Sequence, residues 1–420
     1  MCTNVGSDNF DAAAIAPVRF GTPEMDDLIK AIGQSATASK AMSENPFSAI
    51  DLVRASRLGA LRVPVADGGG GSTVREFFAM LLDLAEADSD VAQILRAHFW
   101  FVEERLRGRD PAVRDRWIKH VVAGEIVGNA MTEIGGSEPV GSFTMHTQLL
   151  PNGERYLLNG TKYFCTGSLY SDWVWVLTST PDGEVTAVVV PIDRAGVALE
   201  DDWDGIGQRF TGSGTGRFNN VIVNPEEVLR MPLDSEGDNG EKQIPTEPFL
   251  IGQFVQLILT TIIVGNLRNV LSDAVRIVGA RKRTFTHASA NTTASDPQYQ
   301  EMIGRISSTT FAAESTILAA AEAHQAALDS VKDGQGNIEL AHRASMLAAQ
   351  AKVFVDDVAP RAASLLFELG GASSTGASSA LDRHWRNIVT LSSHNSTAFK
   401  ARAIGDYLLN ETHLPMNGYF

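Results

Sequence analysis

Residues 383–395 bring together side chains that can bind anions or move protons. The segment carries Arg383 and Arg386 and ends in His394 followed by Asn395. A guanidinium matches the oxygens of a phosphate in a bidentate manner. Histidine has a pKa near neutral, so it can supply and recover a proton within one turnover. Because Asn395 is an amide, it cannot act as the base that abstracts a proton from a substrate.

Two further segments hold candidate polar groups. Residues 158–167 read as a strand that ends in a Cys-Thr-Gly turn containing Cys165 and Thr166. His98 lies within residues 96–101, a helical stretch that is dense in aromatic residues. A lone histidine in such a helix is more often a satisfied core residue than a catalytic group, so its spacing alone assigns it no role.

The elements that must position these groups follow a helical, β, helical order. Residues 21–125 have a helical pattern, in which a Gly-rich turn at 68–71 precedes a capping box formed by Thr73 and Glu76. Residues 126–231 contain β-branched and aromatic runs separated by turn signals at 152–153, 159–160 and 181–183. This pattern of strands and turns predicts an antiparallel β-domain.

The remaining segments are a tail, a linker and a second helical region. Residues 1–20 read as a flexible tail and residues 232–247 as a polar linker. In residues 248–420 the helical period returns, and one helix is predicted from 338 to 369, ending at two glycines. Pro360 inside that helix predicts a kink or a break.

Composition excludes several classes of function. The 420 residues are 44% hydrophobic and carry a net charge of −15, which argues against binding nucleic acid. The two cysteines suggest no disulfide framework, and no signal peptide or bilayer-spanning run is evident, so we expect a cytoplasmic protein without a membrane partner. The histidines have no metal-ligand spacing, so no metal site is expected.

Three motifs in the right order resemble the acyl-CoA dehydrogenase superfamily: residues 128–133, residues 158–167 and residues 201–214. Together with residues 383–395 they are most similar to its flavin-dependent, two-component (group D) monooxygenase branch, to which the dibenzothiophene monooxygenases belong. The resemblance covers about residues 24–410. It implies an α+β fold with an N-terminal α-helical domain, a central antiparallel β-domain and a C-terminal four-helix bundle that assembles into a homotetramer.

The resemblance also implies site residues. His98 and His394 would face the substrate and the flavin from opposite ends of the chain. One of two arginines after an apolar helix would cross the subunit interface to the phosphate of the partner's flavin. The implied catalytic residues are His98, His394, Thr166 and Asn129. The implied cofactor-binding residues are Asn129, Thr132, Phe164, Cys165, Thr166, Trp203, Arg209, Ser213, Arg281, Arg283, Arg386, Asn387 and His394.

The reaction that the resemblance implies uses reduced FMN or FAD and O2, through a flavin C4a-hydroperoxide that must be shielded from water. The expected substrate is small and hydrophobic, aromatic or heterocyclic. Because no Gly-x-Gly-x-x-Gly fingerprint follows a strand and opens a helix, we expect no nicotinamide site in this chain. A separate NAD(P)H-dependent flavin reductase would then supply the reduced flavin by diffusion.

Other readings of the same residues remain open. The chain is also compatible with an acyl-CoA dehydrogenase or oxidase whose base has moved to another position, such as Glu133 or Asp273. An amine N-hydroxylase on the same fold is a further alternative, as is a paralogue that binds a ligand without catalysis.

Overall fold

The computed structural model describes residues 16–42, 44–108, 110–134, 145–230, 247–332, 336–415 and 420. Residues 1–15 of the predicted tail (1–20) and residues 232–246 of the predicted linker (232–247) therefore lie outside the described residues. Helices open and close the described chain, and a sheet lies between them. The first helices are α1 (Pro23–Met42), α2 (Phe47–Ser56), α3 (Val74–Ala87), α4 (Ser89–Leu106) and α5 (Pro111–Val122).

The sheet contains eight strands in the order β6-β7-β3-β2-β4-β5-β8, with β1 beside β4. Their bounds are β1 (Val127–Ala130), β2 (Gln148–Asn152), β3 (Arg155–Lys162), β4 (Trp173–Ser179), β5 (Val185–Pro191), β6 (Val197–Leu199), β7 (Gly216–Val223) and β8 (Val228–Arg230). The closing helices are α6 (Glu247–Ala280), α7 (Pro297–Asp329), α8 (Ile338–Gly370), α9 (Asp382–Ser392) and α10 (Thr397–Asn410). The predicted α+β architecture is confirmed.

The sheet is mixed rather than wholly antiparallel, which corrects the prediction. Val127 of β1 pairs in parallel with Trp173 of β4, while the β2–β3 and β4–β5 pairs are antiparallel. The side chain of Asp172 and the carbonyl of Ile126 fix this register, because Ile126 N donates to Asp172 Oδ2 and Trp173 N donates to Ile126 O. Both strands therefore start from the same edge of the helical domain.

The turn predicted at 159–160 is a β-bulge inside β3. The register against β7 shifts between Leu158 and Gly160, and Gly160 has a φ of +154°. Asn159 Oδ1 accepts a hydrogen bond from Asn220 N, so its side chain stabilises the bulge rather than a hairpin. The other two turn predictions hold: a tight β2–β3 hairpin carries Gly153, and Gly183 joins β4 to β5.

The two helical regions share one hydrophobic core. Phe77 of α3 stacks on Phe254 of α6 with ring centroids 5.1 Å apart. Gly265 of α6 lies where an added Cβ would be 2.4 Å from Ala85 Cβ, so only glycine permits this close approach of helices. The predicted capping box of Thr73 and Glu76 opens α3. Helix α3 of the first helical region thus packs closely against α6 of the second, although the two are distant in sequence.

Helix α8 is continuous at Pro360, where the sequence predicted a kink or a break. Helix α8 runs from Ile338 to Gly370 through Pro360, and Gly371 with a φ of +61° caps it. Neighbouring packing therefore maintains the helix despite the hydrogen bond that proline removes.

One stretch of α6, Leu250–Ala280, is long and apolar enough to cross a membrane by length and composition. Its most apolar window is 94% buried inside the protein, which is the behaviour of a core helix. No other described helix passes the same test.

Candidate active site

Two side-chain contacts link α4 to α9 and to the turn that follows α9. Asn387 Nδ2 of α9 donates to Ser89 Oγ of α4 over 3.0 Å, and Arg96 Nη1 of α4 lies 3.5 Å from Nε2 of His394, in the turn after α9. Ser89 and Arg96 are seven residues apart, about two helical turns, so they share one face of α4. We call the region between these two contacts, with α4 on one side and α9 and its following turn on the other, the slot.

Buried polar atoms without partners line this slot. Gln93 Oε1 of α4 and Thr390 Oγ1 of α9 fall between the two contacts, and neither accepts or donates a hydrogen bond among the described residues. Asn129 Oδ1 of β1 and Asn395 Oδ1 are likewise unpartnered. Buried polar atoms are nearly always satisfied in proteins, so this arrangement fits a polar ligand with donors and acceptors along one edge.

The turn after β3 contributes a chain of hydroxyl groups. Thr166 Oγ1 lies 2.8 Å from Ser213 Oγ, which lies 2.7 Å from Thr211 Oγ1. Gly167 has a φ of +80°, and an added Cβ there would be 2.4 Å from the carbonyl oxygen of Ile94 in α4. Gly167 is thereby packed against α4 at Ile94, the residue that follows Gln93, so the predicted β motif borders α4.

His394 is held as a neutral imidazole. Desolvation by the surrounding protein and the positive charges of Arg96 and Lys352 together lower its pKa well below the usual range. Because the guanidinium of Arg96 can only donate, His394 Nε2 must accept and Nδ1 must carry the proton. The residue still contacts solvent, so Nδ1–H is available to a ligand.

His98 lies in the core, and the structure does not bring it together with His394. Its side chain is fully buried, and Nδ1 accepts a hydrogen bond from Val127 N over 3.1 Å. Residues two apart on a helix point about 200° apart, so His98 faces away from the side on which Arg96 meets His394. Burial lowers its pKa to about 4. The predicted catalytic role of His98 is therefore corrected to a structural one.

Cys165 is the second correction. Its side chain is 2% exposed within the core of the sheet, and burial raises the pKa of the thiol to about 12. Its backbone N–H donates to Gly214 O and its carbonyl accepts from Ser168 N, so the backbone is also committed. The thiol cannot contact a ligand in the slot, unlike its neighbour Phe164, which is 48% exposed.

The loop between β6 and β7 carries three more of the predicted cofactor-binding residues and contacts α9. Trp203 Nε1 donates to Gln208 O, and Gln208 N donates to Asn387 Oδ1 over 2.7 Å. Trp203 meets Phe164 edge to face at a centroid distance of 5.9 Å. Trp203 and Arg209 also line a cleft of about 690 Å³, and Ser213 belongs to the hydroxyl chain.

The remaining predicted residues lie elsewhere on the surface of this chain. Thr132 is exposed just after β1, and Arg386 pairs with Asp382 on the outer side of α9. Arg281 donates to Tyr299 Oη and Leu369 O at the end of α6, and Arg283 is exposed.

Arg281 does not join the slot of its own chain. At about 1.5 Å of rise per residue, the distance along α6 from Gln256, which contacts Asn395, to Arg281 is roughly 37 Å. A role for Arg281 or Arg283 at a partner's flavin stays a prediction.

Neither carboxylate considered as a relocated base is free to act as one. Burial would raise the pKa of Asp273, but hydrogen bonds from His384 and Arg276 and the charge of Arg383 hold it well below its usual range. A carboxylate committed to three cationic partners is a structural anchor between α6 and α9.

Glu133 is equally committed. Burial opposes its ionisation, yet Lys162 at 2.7 Å and the amides of His146 and Thr147 bring its pKa down to about 2. It joins residues on both sides of the 135–144 segment, which lies outside the described residues. At the position after His394, Asn395 Nδ2 donates to Gln256 Oε1, so a second amide replaces any base there.

Sequence reasoning missed Arg96, Gln93, Thr390 and Ser89. The signal for Arg96 was present, because a charged residue interrupts a run of otherwise buried positions in α4. The other three are small or neutral polar residues whose importance depends on which helix faces them, and the spacing within one helix does not reveal that.

Replacing Asn387 with Ala should destabilise the loop that closes the slot. The change removes hydrogen bonds to Gln208 N and Ser89 Oγ and leaves a buried amide unpaired, so we expect a loss of about 1–3 kcal/mol in the free energy of unfolding. Chemical denaturation would measure it. Asn410→Ala is the control, since Asn410 makes one exposed bond to Asp406 and should cost less than about 0.5 kcal/mol. Equal losses in both variants would contradict the anchoring role.

Comparison with known proteins identifies the group to which this architecture belongs. Residues 128–221 match the acyl-CoA dehydrogenase middle domain, and residues 257–399 match the acyl-CoA dehydrogenase C-terminal domain. The dibenzothiophene monooxygenase of Mycolicibacterium goodii is 28% identical over 378 residues, covering 87% of this chain and 88% of that protein.

Two further proteins resemble the chain over nearly its whole length. The probable FMNH2-dependent monooxygenase SfnC of Pseudomonas putida is 27% identical, over 92% of this chain and 93% of its own. The crystal structure of TdsC from Paenibacillus sp. A11-2 with FMN and indole superposes with a TM-score of 0.84 and 25% identity, covering 95% of this chain and all of the other.

Proposed function

Because the chain belongs to the acyl-CoA dehydrogenase family and is an oxidoreductase, we propose that it is the oxygenase component of a two-component monooxygenase. It would use reduced FMN and O2 to oxygenate a small substrate. The observation that carries the proposal is the slot between α4 and α9, which holds a neutral imidazole and has amides where a dehydrogenase needs a carboxylate.

The residues that line the slot fit a flavin. The flavin ring system has hydrogen-bond donors and acceptors along its pyrimidine edge, and Asn129, Thr166, Gln93 and Thr390 offer unsatisfied or adaptable polar atoms on the walls. When bound, reduced flavin supplies the electrons with which one atom of O2 enters the substrate and the other leaves as water.

The protein contributes orientation, proton transfer and the exclusion of water. Nδ1–H of His394 donates to a ligand in the slot and can regain its proton from solvent, because the residue keeps a solvent contact. The linked hydroxyls of Thr166, Ser213 and Thr211 can reorient, so each can switch between donating and accepting. The closely packed Gly167 and Ile94 leave no room for bulk water on that side.

FMN is proposed rather than FAD. The support is that TdsC binds FMN and that SfnC is described as FMNH2-dependent. TdsC also binds indole, which supports a small, largely apolar substrate body. Assembly into a homotetramer remains part of the proposal and follows from the family alone.

The dehydrogenase alternative is disfavoured by the contacts around Asn395. Its side chain meets Gln256, and the two carboxylates considered as substitutes, Glu133 and Asp273, have depressed pKa values and fixed cationic partners. A carboxylate whose pKa is far below neutral is a weak general base.

Oxygenation should require reduced flavin from outside the chain. We expect no product from NADH, O2 and substrate with the purified protein, and steady product once a flavin reductase and FMN are added. The physical reason is the absence of a dinucleotide fingerprint in the sequence. Product analysis by mass spectrometry measures the result, with photoreduced FMN replacing the reductase as a control. Steady NADH oxidation by the purified chain would contradict the two-component assignment.

A further inference from the structure

Arg96 places a guanidinium in the candidate site, and no carboxylate in the part of the chain that the structure describes pairs with it. Its Nη1 lies 3.5 Å from His394 Nε2, and its Nε donates to Val255 O over 3.4 Å. Both contacts are at the long limit for hydrogen bonds, both acceptors are uncharged, and Nη2 makes no hydrogen bond to the described residues. The guanidinium thus retains donors for another group.

The charges around Arg96 leave it uncompensated. Burial lowers its pKa to about 10, but a guanidinium stays protonated at neutral pH. His394 is neutral, and the nearby Lys352 is balanced by Asp356, whose Oδ2 lies 2.7 Å from Nζ. A net positive charge therefore remains in the slot of a chain whose overall charge is −15.

An uncompensated charge in a partly buried site is costly unless a ligand pairs with it. The forked donors of arginine match the two oxygens of a carboxylate or sulfinate. One turn beyond Arg96 on the same face, Trp100 packs on Trp175 with ring centroids 4.8 Å apart, so the neighbouring wall is apolar. The surroundings of Arg96 thus combine one cation with an aromatic surface.

We propose that Arg96 is a specificity-determining residue that binds an oxyanion, carboxylate or sulfinate, on a substrate with a small apolar body. This inference rests on the proposed function only in taking the end of the slot at His394 as the substrate site, beside the proposed flavin. An oxyanion bound to Arg96 lies beside His394, because the two side chains are in contact. The sequence-based expectation of a purely hydrophobic substrate is refined to an amphipathic, anionic one.

Equilibrium binding tests this without turnover. Calorimetric titrations of the purified protein, with and without saturating oxidised FMN, would compare benzoate and benzenesulfinate with the neutral isostere benzamide. The wild-type protein should bind at least one anion about 10-fold more tightly than benzamide. Arg96→Met should weaken anion binding about 10- to 150-fold, as expected for a hydrogen-bonded charge, and leave benzamide nearly unchanged. Arg96→Lys should retain part of the preference.

The controls separate this inference from folding and from the proposed function. Arg305→Met removes an exposed arginine and should leave all affinities unchanged, and melting temperatures verify that each variant folds. Equal affinity for anions and benzamide in the wild type would overturn the inference, as would unchanged anion binding in Arg96→Met. Loss of FMN affinity instead of anion affinity would also overturn it and assign Arg96 to the cofactor. If Arg96 binds anions but the protein oxygenates no substrate, the proposed monooxygenase function is refuted and the inference about Arg96 stands.

Discussion

Replacing His394 with Ala should lower the rate of product formation by about 10²–10⁴-fold, the usual cost of losing one positioned proton-transfer group. O2 consumption should continue, with its product shifted to hydrogen peroxide. The reason is that His394 presents Nδ1–H to the slot as a neutral donor, while its other nitrogen is fixed by Arg96. The ratio of peroxide to oxygenated product measures the effect.

Folding and FMN binding should survive in His394→Ala. The residue lies in the turn after α9 and contacts solvent, so its removal opens no core cavity. His394→Gln keeps a hydrogen-bond donor and should retain part of the coupling. His413→Ala, which changes a half-exposed histidine, serves as the matched control. An unchanged peroxide ratio in His394→Ala would remove His394 from the chemistry.

Replacing His98 with Ala should instead destabilise the fold by about 2–5 kcal/mol, the range for large-to-small core changes. The ring fills a buried site between α4 and the backbone of Gly59, and Nδ1 satisfies the amide of Val127. Chemical denaturation measures the loss. The peroxide ratio of the folded variant should match that of the wild type, in contrast to His394→Ala.

A double-mutant cycle tests the same packing. An added Cβ at Gly59 would lie 2.4 Å from His98 Nε2, so Gly59→Ala alone should be destabilising. In the His98→Ala background the ring is gone and the methyl group fits, so the two losses should not add. Additive losses of stability in the double variant would contradict the assignment of His98 to the core. A raised ratio of peroxide to product in His98→Ala, without a loss of stability, would contradict it as well.

Acid sensitivity follows from the same burial. The pKa of His98 is about 4 in the folded protein and about 6.5 when unfolded. The unfolded chain therefore binds more protons between these values, and stability falls as the pH drops from 6.5 towards 4, by up to about 3 kcal/mol. This contribution is fully present above pH 6.5 and is missing in His98→Ala.

Periodic patterns predicted the helices and strands well. They failed where contacts with residues distant in sequence determine the local structure. The capping box at Thr73 and the end of α8 at Gly371 depend on neighbours in sequence, so they were predictable. Asn159 forms a bulge because Asn220 of another strand donates to it. Likewise, β1 is parallel to β4 because Asp172 fixes the register.

The sequence predicted which segments border the candidate site, but not all of the side chains that lie in it. Asn387 and His394 contact α4 at the two ends of the slot, and the predicted roles of Thr166, Asn387 and His394 at a flavin stay predictions. His98 did not join them, and Arg96 did, because the side of α4 that faces α9 is set by tertiary packing. A motif match fixes which helix borders the site, but a two-residue step along that helix reverses the direction of the side chain.

The most direct test of the central claim is the fate of labelled oxygen. The purified chain would be mixed anaerobically with photoreduced FMN and a panel of small aryl sulfinates, carboxylates and heterocycles, and then exposed to ¹⁸O2. We predict a product that carries one ¹⁸O atom per molecule, found by mass spectrometry, with the yield reduced in His394→Ala. Products containing oxygen only from water, or flavin reduction by an acyl-CoA thioester in place of oxygenation, would contradict the monooxygenase assignment.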